Sequence, residues 1–166
     1  HTPLIVAAGA TRGRALPTRG GNYSEEQAIE AVKLLLAAGA NVNASGYKPP
    51  GGRQGEIRCT GYVVIPDCWV GETAMHGPAL QGWPKLAQVL KDAGADVNAE
   101  DADGKTPLDY AMGRYRLGFL ENAPAPKNEM AAALRKLGAT KESPDAPPLP
   151  PGARPIVVAE VPLLPY

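Results

Sequence analysis

"GADVNAEDADGKTPLDYA", residues 94–111, sets Asp96, Glu100, Asp101 and Asp103 in one short polar stretch. Its reading decides whether the chain is built around an ion site or around a structural joint. A calcium loop of EF-hand type needs Gly at its sixth place and Glu at its twelfth. Counting from Asp101 puts Gly104 fourth and Met112 twelfth, so the pattern fails. What the stretch carries instead is punctuation. Gly94 follows an apolar helical run and can take the left-handed conformation that ends a helix. Thr106 and Pro107 open the next one as cap and first helical residue.

The same punctuation recurs. GANVNA at Gly39–Ala44 returns as GADVNA at Gly94–Ala99, with a shortened echo, GAT, at Gly138–Thr140. TPL at Thr2–Leu4 returns as TAMHGPA at Thr73–Ala79 and TPLDYA at Thr106–Ala111. Thr73 to Gly94 is 21 residues and Gly94 to Thr106 is 12, a period of 33. Within each period one helical face is apolar: Ala28, Val32, Leu35 and Leu36 in the first copy, Ala87 and Leu90 in the second, Ala131 and Leu134 in the third. A helix pair with such a stripe cannot bury it alone, but stacked neighbours can.

On these phrases the chain resembles the ankyrin-repeat family, whose unit is 33 residues and whose first helix opens on T-P-L-H-x-A. The resemblance covers about residues 2–140. It implies an all-α solenoid of stacked helix pairs, with repeats at about 1–44, 71–99 and 104–140. It also implies a non-enzymatic protein-interaction module without a cofactor. His76 stands at the histidine place of the phrase, where the resemblance implies an imidazole that ties neighbouring turns together. Ile5 and Asp109 stand there in the other copies. Thr73 is expected to cap its helix as Thr2 and Thr106 do, which argues against a catalytic triad of Thr73, His76 and Asp96.

Departures from the period point to where binding resides, because loops on a rigid scaffold carry function. Residues are added between the two helices of the first copy, around "GATRGRALPTRGGNYSEE", and of the third, around "GRYRLGFLENAPAPK". The largest addition is a finger at about 45–70, between the first and second copies. Its core, "GEIRCTGYVVIPDCW", favours an extended strand or hairpin. Tyr47, Tyr62, Val64 and Trp69 in the finger, with Trp83 at the short middle connection, are the candidate partner contacts. The alternative is that the finger aromatics pack it down onto the scaffold. Cys59 and Cys68 both lie in the finger and could pair as a disulfide or remain free thiols. Two cysteines with the distant His76 are too few for zinc.

With 17 basic and 17 acidic residues the chain lacks the electrostatic footprint of a nucleic-acid binder. Its longest apolar runs fall short of the roughly 20 residues that span a bilayer. No nucleophile motif, phosphate loop or dinucleotide fingerprint occurs. The first copy opens on apolar residues, Leu4 among them, and the chain closes on a proline-rich tail, 141–166, ending "RPIVVAEVPLLPY". Ile156, Val158, Val161 and Leu164 in that tail either cap the last repeat or add to a neighbouring molecule as a strand. The expected partner is another protein or copies of the same chain. Head-to-tail assembly, through Leu4 and these tail residues, and an accessory role beside an exported enzyme are the alternatives. The chain starts at His1 with no initiator Met and no signal sequence, which reads as a processed or excised piece of a longer exported bacterial protein. A disulfide would favour an extracellular or periplasmic site over a cytoplasmic one.

Overall fold

Three helix pairs follow one another in a computed structural model that describes residues 2–10, 24–46, 71–101, 104–114 and 125–142. The pairs are α1 (Pro3–Ala7) with α2 (Glu25–Ala37), α3 (His76–Gln81) with α4 (Pro84–Asp92), and α5 (Pro107–Ala111) with α6 (Asn128–Lys136). Each first helix packs on its own second helix. Neighbouring pairs join through α3 on α5, α2 on α4 and α4 on α6. The architecture is the expected all-α stack, and no strand occurs among the described residues.

Helices of five residues, such as α1 and α5, cannot hold themselves together in water. Caps and packing do it for them. The Thr2 hydroxyl accepts the Ile5 N–H and the Thr106 hydroxyl accepts the Asp109 N–H, both at 3.3 Å. Pro3 and Pro107 occupy a position where a missing N–H costs nothing. Asp109 completes a capping box, its Oδ2 accepting the Thr106 N–H at 2.9 Å.

The second copy departs from this scheme, and Thr73 is not the helix cap expected of it. Helix α3 begins at His76, with Met75 at the cap and no side-chain capping bond. The reason stands at Pro78, which has no N–H to give the Ala74 carbonyl. That carbonyl instead accepts from Gly77 N at 3.2 Å, and the Thr73 carbonyl accepts from His76 N at 3.1 Å, so the chain enters through a tighter turn.

All three second helices end alike. Gly39, Gly94 and Gly138 take φ of 87°, 89° and 101°. After α4, for example, Gly94 N–H donates to Lys91 O and Ala95 N–H to Leu90 O, both at 2.9 Å, which is the Schellman arrangement. The stripes read from the sequence meet in one continuous core that includes Leu4, Val32, Met75, Leu86, Leu90, Leu108, Met130 and Leu134. Each side chain of this kind contributes about 1.5–3 kcal/mol on full burial. Polar groups also cross the joints. Helix α4 has no side-chain cap of its own, and Glu25 of α2 supplies one, its Oε1 accepting from Lys85 N at 2.7 Å and Leu86 N at 3.0 Å.

Candidate interaction surface

The turn before the finger is anchored from both sides. Asn41 Oδ1 accepts the Asn43 N–H at 3.0 Å, an Asx turn that fixes the path of the chain. Asn43 then reaches into the second copy. Its Nδ2 donates to Gly94 O at 2.9 Å and its Oδ1 accepts from Asp96 N at 2.8 Å. Asn98 repeats the device one copy on, donating to Gly138 O at 3.2 Å and accepting from Thr140 N at 2.9 Å. The asparagine of each Val-Asn phrase is thus a staple between repeats.

Beyond that turn, Gly46 N–H donates to Glu72 O at 2.7 Å. Gly46 and Glu72, on either side of residues 47–70, are thereby held together by a backbone bond. Glu72 is buried, and its Oε1 meets the Tyr110 hydroxyl of α5. The same hydroxyl lies 2.8 Å from Asp101 Oδ2. Asp101 Oδ1 in turn accepts from Lys105 N at 2.8 Å. The base of the insertion, the second inter-repeat turn and α5 are thereby joined in one buried polar network.

His76 completes it. The Thr73 backbone N–H donates to Nδ1 at 3.0 Å, which leaves the ring proton on Nε2 to be donated to Lys105 O at 3.1 Å. The ring stands edge-on to Tyr110, with centroids 4.9 Å apart and planes at 71°. A triad would need a carboxylate on the second ring nitrogen, and here that nitrogen meets a backbone carbonyl. Asp96 is exposed and turned to its own joint, its Oδ1 accepting the Asn98 N–H at 2.8 Å. The turn carboxylates are divided in the same way. Asp101 is buried in the network, whereas Glu100 Oε1 pairs at the surface with Lys141 Nζ at 3.0 Å. Asp103 lies outside the described residues.

Of the side chains expected to contact partners, Trp83 is half-buried at the start of α4 and packs against the core. Tyr47, Tyr62, Val64 and Trp69 lie outside the described residues, as do Cys59, Cys68, Ile156, Val158, Val161 and Leu164. Leu4 is 2% exposed, and the apolar residue that reaches solvent beside it is Val6, 46% exposed. Sequence reasoning missed Glu72 and Tyr110, whose meeting joins residues 38 apart. It also passed over the staple role of Asn43 and Asn98, although the recurrence of the phrase was the signal for it. No described helix is long and apolar enough to cross a membrane. No group of three or more His, Cys, Asp or Glu among the described residues could hold a metal ion.

The family model for the ankyrin repeat matches residues 1–47. The Neurogenic locus Notch protein of Drosophila melanogaster is 31% identical over 121 residues, which cover 72% of this chain and 4% of the fly protein. That alignment reaches well beyond the residues matched by the family model. The chain spans only a small part of the length of this relative.

Proposed function

The chain is an ankyrin-repeat protein, and from that premise we propose that it binds another protein through the inserted finger, 45–70, and the inner helix face. Ankyrin repeats mediate protein–protein interaction, and the family is typically not enzymatic. One observation carries the finer reading: the Gly46–Glu72 bond closes the insertion at its base, and Glu72 is held by Tyr110 of the next repeat. Holding the two ends of a loop together removes part of the ordering cost that a partner would otherwise meet on binding it. Tyr47, Tyr62, Val64 and Trp69 are the anchors in this reading, with Trp83 at its edge. Cys59 and Cys68 would staple the finger, since a small protrusion without its own core gains most from a cross-link.

The test replaces residues 47–70 by a short Gly-Ser turn between Gly46 and Gly71. Helix content and unfolding midpoint report whether the stack survives. Partners captured and cross-linked by the native chain are then compared with those of the shortened chain and of the Tyr62→Ala, Trp69→Ala variant. Partners lost from both, with the stack intact, support the reading. Partners retained by the shortened chain would move the contact surface elsewhere.

A further inference from the structure

Two buried carboxyls share one hydroxyl. Glu72, at the start of the second repeat, is 1% exposed, and Asp101, in the turn that enters the third, is 8% exposed. Between them stands the buried Tyr110 of α5, its oxygen 2.5 Å from Glu72 Oε1 and 2.8 Å from Asp101 Oδ2. A phenol has one proton to give. With both carboxyls ionised, one of these contacts would set two bare oxygens against each other, beside two negative charges largely removed from water. Taking up a second proton removes both penalties.

The neighbours decide which carboxyl carries it. Asp101 Oδ1 accepts the Lys105 N–H at 2.8 Å, and a backbone donor favours the charged form of the acid that it serves. His76 adds no charge, because its Nδ1 accepts the Thr73 N–H at 3.0 Å and its Nε2 donates to Lys105 O at 3.1 Å, as only a neutral ring can. Asp109 on the same helix as Tyr110 serves Thr106, its Oδ2 accepting the N–H at 2.9 Å and the hydroxyl at 3.0 Å. Beyond it the Arg114 guanidinium is engaged by Glu142 at 3.1 Å. The charged residues of α4 and α6, Lys85, Lys91, Asp92, Glu129, Arg135 and Lys136, are exposed. We propose that Glu72 is a neutral carboxylic acid in the folded chain: it donates to the Tyr110 oxygen, Tyr110 donates to Asp101, and this one proton locks the second repeat to the third. The lock has a pH dependence of definite sign. A carboxyl that holds its proton more tightly when folded stabilises fully below its unfolded value, about 4.3. The contribution is lost as pH rises through the folded value.

The test follows the Glu72 side-chain carboxyl of the full chain by carbon-13 NMR through a pH titration, assigned through bonds from its own backbone. The carboxyl is expected to remain protonated at pH about 6.5, roughly two units above an ordinary glutamate. Urea unfolding of Glu72→Gln gives a second readout, since the amide keeps a donor for Tyr110 and carries no charge. The native midpoint should fall relative to the variant as pH rises from about 5 to about 8. A Glu72 carboxyl already ionised at pH about 6.5 overturns the proposal, and so does a retained proton found on Asp101. Midpoints of native chain and variant that run parallel over that range would overturn the proton as a lock. If the variant does not fold, the titration of the native chain still decides.

Discussion

At the scale of single residues, the polar side chains inside the stack act as ties between repeats. His76 shows this most fully, since each ring nitrogen serves a different element: Nδ1 the Thr73 segment at its own helix start, Nε2 the Lys105 carbonyl of the next repeat. His76→Ala leaves a buried N–H and a carbonyl unsatisfied, at about 1–3 kcal/mol together. Urea unfolding should show that loss of stability, and partner binding at a temperature where the variant is folded should be unchanged. Unchanged stability with lost binding would instead make His76 a contact residue. The role of His76 was legible through the family resemblance that its recurring phrase carries, since the histidine itself is replaced by Ile5 and Asp109 in the other copies. The absence of a Thr73 cap was not, because its cause is Pro78, a residue that removes one donor five positions downstream. Nor was the Glu72–Tyr110–Asp101 cluster, since a solenoid brings such residues together only through the rise from one repeat to the next. The finger and tail offered side-chain types without a period, and so no register from which to place them.

At the scale of elements, two glycines make the same substitution mean different things. Gly94 has open space around an added Cβ, and its φ of 89° alone penalises alanine, by about 1–2 kcal/mol. Gly77 lies within α3, where alanine would gain about 1 kcal/mol in helix propensity. That gain is outweighed, because its Cβ would stand 2.1 Å from Ala8 O and 2.6 Å from Ala8 C. Those are backbone atoms of the preceding repeat, so the first two repeats must move apart. Overpacking of this kind costs about 1–3 kcal/mol. Gly77→Ala should therefore destabilise despite its better propensity, and an unfolding midpoint at or above that of the native chain would refute the close approach. The end of the last repeat gives a pH-dependent counterpart. Hydrogen bonding from Arg135, and then from Arg114, holds the Glu142 carboxyl below its ordinary value of 4.5. A depressed carboxylate stabilises the folded state fully above that ordinary value, and the contribution is lost as pH falls through the folded value. Glu142→Gln should thus lower stability at neutral pH and converge with the native chain in acid. Parallel stability curves over that range would show the carboxylate to be idle.

At the scale of the whole molecule, stability in a stack is a sum over units and joints, so damage should stay near the joint where it is made. The two asparagine staples allow a direct comparison, because they are chemically alike and sit at successive joints. Asn43 ties the first repeat to the second through Gly94 and Asp96. Asn98 ties the second to the third through Gly138, Thr140 and Lys141. Both are partly open to water, so each substitution by alanine should cost only about 1 kcal/mol overall. What should differ is where the structure opens. Asn43→Ala should raise hydrogen exchange chiefly in α1 and α2, the repeat left with the weaker hold. Asn98→Ala should raise it in α5 and α6, while α3 and α4 stay protected in both. Hydrogen exchange read by mass spectrometry, peptide by peptide, distinguishes this from a single cooperative unit, in which both variants would raise exchange equally in every helix.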